Sequence, residues 1–436
     1  MWAAMGTGFL LKGLIALVFP LAAAGLFLFL TGQLFRRTTL KRFRVLPGIA
    51  MVAAICLPWV VLAMLRNPPL FDFTMRSVPG EYHGFFWFFF FNEHIFRFLN
   101  MRWPRDYNTV PRHLFWLLHL AWLFPWSAYL PEALRTLPRR TAPDRAALDR
   151  ASKTRLLAWC WAGFLLAFFT FSTTQEYYSM PAYPALALLI GDALTRESRW
   201  NAWGTRALAA ITTLLALVLG AIWWAVRDVP APGDISRALT LNPDAYTLSL
   251  GHMKDLTLPA FAYLRTPLLM AAAAFLMGAV AAWRFRGARL ALGLAAMMVL
   301  FTQAARVAMV SFDPYLSSRP LADALTAAPE GDIILDNQYY TFSSVFFYAH
   351  ERLRGGALLL NGRVNNLEYG SYAPGAPQVF LKDAGLAARW SGPRRCYLFL
   401  EGPQLARIER LVGKDRLFPV REAGGKLLIS NQPASH

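Results

Sequence analysis

Charge is scarce in this 436-residue chain. Asp, Glu, Lys and Arg make up 16% of it, against about a quarter of an ordinary soluble domain. With 56% of residues hydrophobic, 33 of them Phe, the apolar surface is too large for one water-soluble core. Acidic residues are scarcer still: 26 against 44 basic ones, a net charge of +18. There are three cysteines, Cys56, Cys160 and Cys396, and no paired spacing among them, which excludes a disulfide framework or a cysteine metal site. No basic segment precedes the first apolar run, and Lys12 falls inside it, so the start does not have the form of a signal peptide. Zinc-finger spacings, a glycine-lysine phosphate loop, a basic face interleaved with aromatics, tandem repeats and low-complexity segments are also missing. The positive charge is therefore not read as a nucleic-acid footprint.

What is present is a series of apolar runs. A hydrocarbon layer about 30 Å thick needs about 20 apolar residues to cross it. Eight segments qualify: 8–30, 45–65, 114–131, 156–172, 180–194, 207–226, 267–283 and 290–310, with 156–172 and 180–194 short and interrupted by proline. The cations sit between them. Arg36, Arg37, Lys41, Arg42 and Arg44 fill the first loop; Arg135, Arg139, Arg140, Arg145, Arg150, Lys153 and Arg155 fill the third. Arg196, Arg199 and Arg206 mark the fifth, and Arg284, Arg286 and Arg289 the seventh. Basic loops stay in the cytoplasm. The loops 66–113, 173–179 and 227–266 and the tail 311–436 are then expected outside. Met1 would also start outside, so an odd number of helices is expected upstream of this chain.

The expected organisation is an α-helical polytopic membrane domain over 1–310, about eight spans with an interfacial loop at 66–113, followed by a small α/β or α+β soluble domain over 311–436. In the tail, Asp332–Leu335, Leu358–Leu360, Cys396–Leu400 and Lys426–Ile429 read as strands, and Leu321–Ala327 and Leu405–Leu411 have helical spacing.

Candidate chemistry concentrates in three places. The loop 66–113 carries the aromatic run Phe85–Phe91 followed by Asn92, Glu93, His94 and Arg97, with Arg102 and Arg105 beyond. We read it as helix lying at the membrane surface, where Trp and Tyr suit the headgroup zone. Glu93 and Arg97 are four apart and share a face if the segment is helical. Either Arg97 meets a lipid phosphate with Glu93 orienting it, or the two form an ordinary intrahelical ion pair beside an interfacial His94. Glu81 and His83 with Glu93 and His94 leave a metal cluster as an open reading. The second place is Lys12, near the outer end of the first span. A charge there takes a phosphate or carboxylate partner, or snorkels to the surface. The third is the turn around Gln175, Glu176, Tyr177, Tyr178 and Tyr183, whose rings stack on a sugar or mark the interface; Glu176 has no visible partner as a base. His113 and His119 are six apart and read as packed or surface histidines, and no nucleophile triad is present.

Three of these stretches together carry a family resemblance: GTGFLLKGLIALVFP at 6–20, FFFFNEHIFRFLN at 88–100 followed by a helix ending FPW at 124–126, and FFTFSTTQEYYSMPAYPALALLIG at 168–191. The chain resembles the polyprenyl-phosphate-dependent glycosyltransferases of aminoarabinose-transferase and protein-mannosyltransferase type. The resemblance implies a GT-C fold in the inner membrane, multi-pass, with the C-terminal domain in the periplasm. It also implies a polyprenyl-phosphate sugar donor and a lipid, glycan or protein acceptor. By resemblance Lys12, Glu93, His94 and Arg97 map onto family motif positions, Glu93 and His94 as catalytic candidates and Lys12 and Arg97 as substrate-binding ones; Tyr177 and Tyr178, from their rings, are further substrate-binding candidates. No cofactor is certain, and a divalent metal stays open. Two departures stand out. The family's first helices and the acidic residue of its first outer loop have no counterpart in this chain, and Gln175 and Glu176 stand where relatives often show a lysine. Whether the chain is itself an enzyme therefore stays open, and a separate chain supplying the missing helices is one expectation. A non-catalytic subunit or truncated half that binds lipid-linked sugar, and a lipid-linked sugar transporter, are the other readings.

Overall fold

The computed structural model describes residues 1–105, 109–137, 148–172, 176–238, 258–337 and 339–433. Arg139, Arg140, Arg145 and Gln175 lie outside the described residues. Among the described residues, five helices are long and apolar enough to cross a membrane: Arg37–Arg66, Arg150–Phe171, Arg199–Val226, Arg265–Arg284 and Gly287–Leu316; Ile15–Leu30 is a shorter apolar helix. The chain divides into two compact units, Met1–Ala210 with Ala281–Ala291, and Ile211–Val280 with Leu292–His436.

In the first unit, the run 8–30, expected as one span, is broken. Helix α1 (Trp2–Lys12) stops at Gly13 and α2 (Ile15–Leu30) resumes after it. Gly13 has φ +84°, a conformation that costs glycine little and other residues much. A short helix α3 (Arg37–Phe43) leads into α4 (Val45–Arg66), which packs on α1. The Trp2 indole donates to the Phe43 carbonyl at 2.9 Å and lies over Gly48, where any Cβ would meet the ring. Helix α2 packs on the helix Arg150–Phe171, with Phe19 set edge-on against Phe164, Phe168 and Phe169. Asp149 caps that helix by accepting from the Ser152 amide.

Proline divides two further apolar runs. The run 114–131 forms a helix Arg112–Trp122, a 3-10 turn Trp126–Tyr129 and a short helix Leu130–Arg135, with Pro125 before the turn and Pro131 at the start of the last helix. The run 180–194 enters through a 3-10 segment Glu176–Ala182 before the helix Tyr183–Leu194. Proline lacks the amide a continuous helix needs but is well suited to a first turn.

In the second unit, a six-stranded sheet has the order β3-β2-β1-β4-β6-β5. Strands β1 (Asp332–Asp336), β2 (Leu358–Leu360), β3 (Phe380–Leu381) and β4 (Cys396–Glu401) run parallel; β5 (Phe418–Ala423) and β6 (Lys426–Ser430) close one edge as an antiparallel hairpin. Alternate residues of one strand serve opposite faces. Ile333, Leu335, Tyr397 and Phe399 therefore pack with Leu321, Leu325 and Phe342. Ile334, Leu398 and Leu400 pack with Leu386, Trp390 and Ile408 on the other side. Helices cover both faces, which is why these strands are near-continuous apolar runs. The tail is thus an α/β domain.

Candidate active site

The Phe-rich loop folds onto the first unit as helix rather than lying apart from it. After the turn Gly84–Phe86, a π-helix runs from Trp87 to Phe96. Phe85, Phe89 and Phe90 pack around Phe9, Cys56 and Val60 of α1 and α4. Trp87 is fully buried, and its indole donates to the Thr74 carbonyl. Such wide turns, with backbone bonds running from i to i+5, are rare and are frequently found at functional sites.

Glu93 is the hub. Its Oε2 accepts from Nη1 of Arg97 at 2.6 Å and its Oε1 accepts from Nε of Arg102 at 2.6 Å. Arg97 also donates from Nη2 to the Tyr178 hydroxyl at 2.9 Å. Two guanidinium groups thus share one carboxylate. The arginines differ in access: the Arg102 side chain is 4% exposed and the Arg97 side chain 31%. Arg102 spends Nη1 on the Pro104 carbonyl. Of the two, Arg97 is the one placed to meet an outside anion. Burial disfavours its charge, but the Tyr178 hydroxyl and the Glu93 carboxylate outweigh that and hold its pKa above the ordinary value.

His94 faces the other way. Its Nδ1 donates to the Phe89 carbonyl, five residues back, and its Nε2 accepts from the Leu14 amide at 2.9 Å. Gly13 sits against the same ring; a Cβ there would stand 2.5 Å from Nε2. The break after Lys12 is therefore seated on His94. Lys12 ends α1 with an exposed side chain and, among the described residues, has no hydrogen bond or ion pair. Tyr177 packs edge-on against Tyr178 at 4.8 Å and is 58% exposed. Contacts thus bring together Glu93, Arg97, Tyr178 and Tyr177, whereas His94 points to Gly13 and Leu14 next to Lys12 and meets the first group only as the chain neighbour of Glu93.

Other candidates separate from this group. His83 bonds Asp72 through Nδ1 at 2.8 Å and has Glu81 at 3.4 Å, while Glu93 and His94 have the partners given above. Among the described residues, no group of three or more His, Cys, Asp and Glu is arranged to hold a metal ion. Hydrogen bonds with Thr74 and His83 outweigh burial and hold the Asp72 carboxyl below its usual range. His119 is packed, with Nδ1 on the Phe115 carbonyl and Nε2 on the Ser179 hydroxyl.

One supporting residue was missed in the sequence. Asn92 is fully buried, donating to the Trp103 carbonyl and accepting from the Trp103 amide at 2.9 Å. It ties the π-helix to the segment that delivers Arg102. An asparagine between Phe91 and Glu93 looks like surface helix in sequence; its flanking aromatics were the available signal. Asn92→Leu is expected to remove this two-way bond and lower the thermal midpoint by several degrees, measured by unfolding in detergent; Asn92→Asp keeps one acceptor and falls between.

No protein-family model matches the chain. It is 26% identical over 231 residues to the undecaprenyl phosphate-alpha-4-amino-4-deoxy-L-arabinose arabinosyl transferase of Pectobacterium carotovorum subsp. carotovorum, covering 50% of this chain and 36% of that one. It is 31% identical over 203 residues to the protein of the same name from Pseudomonas aeruginosa strain UCBPP-PA14, covering 45% and 30%. The chain spans about a third of the length of these curated relatives. The crystal structure of ArnT from Cupriavidus metallidurans bound to undecaprenyl phosphate superposes with a TM-score of 0.68 at 18% identity, covering 99% of this chain and 68% of that one. The fold agrees with the topology that loop charge implies, a multi-pass inner-membrane protein with its C-terminal domain on the periplasmic side. The chain thus shares the fold of ArnT along nearly its whole length, and over about half of that length it is similar in sequence to aminoarabinose transferases.

Proposed function

We propose that this chain carries the donor-phosphate site of a glycosyltransferase that moves a sugar from a polyprenyl-phosphate donor to a lipid, glycan or protein acceptor at the outer face of the membrane. In this reading the membrane domain, 1–310, holds the site and the tail, 311–436, is the periplasmic domain. One observation carries the reading: Arg97 is fixed by Glu93 and Tyr178, keeps part of its side chain accessible, and shares its carboxylate with a second arginine. In such a transfer the acceptor oxygen attacks the anomeric carbon and surrenders its proton to a base. The bond from that carbon to the phosphate oxygen breaks, and the electron pair ends on the departing phosphate. Preorganised cations lower the barrier by meeting that developing charge. Arg97 is suited to this by its planar paired donors, and Lys12 supplies a second, mobile charge.

Glu93 acts here by position. With both oxygens committed to guanidinium groups it holds Arg97 in one orientation. Tyr177, exposed beside Tyr178, offers a ring to the sugar. The test is binding of undecaprenyl phosphate to the full chain in nanodiscs. Arg97→Ala is expected to weaken binding about 10- to 100-fold, the scale of a lost charge-assisted contact. Unchanged binding would remove Arg97 from the phosphate site and the reading with it.

A further inference from the structure

We propose that His94 is a positioning residue for Lys12: its ring is a latch that fixes the helix break after Lys12 and thereby sets where the Lys12 ammonium stands. This rests on the reading above, in which Lys12 meets the donor phosphate.

The argument begins with the backbone. In a continuous helix the Leu14 amide would donate to the carbonyl of residue 10. The positive φ of Gly13 turns the chain, and the Leu14 amide is left without that partner. An unpaired amide is costly in an apolar setting, and broken helices inside a membrane persist only where other groups take over the freed bonds. Nε2 of His94 takes this one, across eighty residues of sequence, at 2.9 Å. A backbone amide can only donate, so Nε2 presents its lone pair and the ring proton is on Nδ1. The Phe89 carbonyl accepts that proton. Both nitrogens are thus committed to backbone groups, one on each of two helices.

Three further observations point the same way. The π-helix sets His94 over the carbonyl five residues back, so the ring is aimed at Leu14 by the wide turn itself. Phe89 packs on the ring with centroids 4.9 Å apart and fixes its tilt. Gly13 leaves no room for a side chain on the ring's other edge. The latch therefore fixes both the direction in which α1 ends and the point at which α2 begins. Lys12 is the last residue before that turn and, among the described residues, has no ion pair of its own. A long flexible side chain on a loose hinge would lose far more freedom on meeting a phosphate than one on a fixed hinge. A ring with both nitrogens in use is poorly placed to exchange protons with substrate, which distinguishes positioning from acid–base work.

The test uses the full chain in nanodiscs, with undecaprenyl phosphate as the probe, and reads two quantities. The first is hydrogen exchange at the Leu14 amide. The second is affinity for the probe in H94A, H94Q, K12M and the double variant H94A/K12M. The expected result is at least about tenfold faster Leu14 exchange and about tenfold weaker binding in H94A. H94Q, whose amide oxygen can accept in place of Nε2, should recover most of both. In the K12M background, H94A should weaken binding no further, because the ring acts through Lys12. Leu14 exchange unaffected by H94A would overturn the latch. Equal losses from H94A with and without Lys12 would overturn its action through Lys12. Neither result touches the proposed function, which falls only if R97A binds the probe as tightly as the parent chain.

Discussion

Glu93→Ala should be the most damaging single change in the loop, costing about 3–5 kcal/mol and abolishing binding of polyprenyl phosphate. The reason lies in the geometry of the carboxylate. Each of its oxygens serves a different arginine. Removing it takes from the buried Arg102 guanidinium the carboxylate that its Nε meets, and breaking a buried pair in this way costs more than the net worth of the pair itself. It also leaves Arg97 with only the Tyr178 hydroxyl among the bonds described above. The two guanidinium groups would also lose the carboxylate they share. Arg97→Ala is different: Glu93 keeps Arg102, and the lost group was partly solvated, so its stability cost should stay near 1 kcal/mol. Glu93→Gln keeps the shape and one acceptor and should fall between. Thermal midpoints and monodispersity in detergent give the order Glu93→Ala below Glu93→Gln below Arg97→Ala. If Glu93→Ala and Arg97→Ala melt together, the hub role is wrong.

This cluster shows how far sequence reasoning reaches. The Glu93–Arg97 pair was legible because an interval of four places side chains on one helical face, whatever surrounds them. Arg102 was visible as a cation, but its return to Glu93 depends on a loop path pinned by the Asn92–Trp103 bonds, which no periodicity encodes. Tyr178 was singled out for its ring, while its bond to Arg97 spans eighty-one residues of chain. The break at Gly13 was hidden because residues 8–30 form one apolar run; hydropathy reports burial in lipid and is blind to a single positive φ. In the tail, β1, β2, β4 and β6 were legible as short apolar runs between turn residues. Strand β3 has two residues, and β5 begins Phe418, Pro419 with an exposed outer face, so neither carries a strand pattern. The order of the strands comes from packing both faces at once, which a linear pattern cannot express.

The hairpin of β5 and β6 leads to the second large effect, at Gly424. Gly424 and Gly425 form a two-residue turn with φ of +62° and +73°, the conformation that the tight twist of such hairpins demands. The turn is pressed against the end of the helix Gly287–Leu316: a Cβ on Gly424 would run into the Pro314 carbonyl. Two residues on, the buried Lys426 ammonium donates to the carbonyls of Tyr315, Leu316 and Ser317 at 2.8, 3.1 and 3.2 Å. These are groups a helix end leaves unpaired, and a cation suits the negative end of the helix dipole. Gly424→Ala should therefore cost several kcal/mol, combining a disfavoured φ with a collision against backbone that cannot move aside. Lys426→Met removes the donors without the collision and should cost about 1–3 kcal/mol.

The lysine also gives the contact a pH signature. Burial pulls its pKa from the ordinary 10.5 down to about 8, against the opposing pull of Glu401 and Asp313. Between those two values the unfolded chain binds more protons than the folded one, so stability rises as pH climbs from about 8 to 10.5 and the gain is lost as pH falls back through 8. The gain is on the order of 3 kcal/mol. Methionine cannot titrate, so the Lys426→Met variant should lack this rise while keeping the pH dependence of every other group. Unfolding of the two chains at pH 7 and pH 10 measures the difference directly. Parallel behaviour across that range would mean that the Lys426 ammonium is not held in the buried, carbonyl-lined position on which both the clamp and its pH response depend.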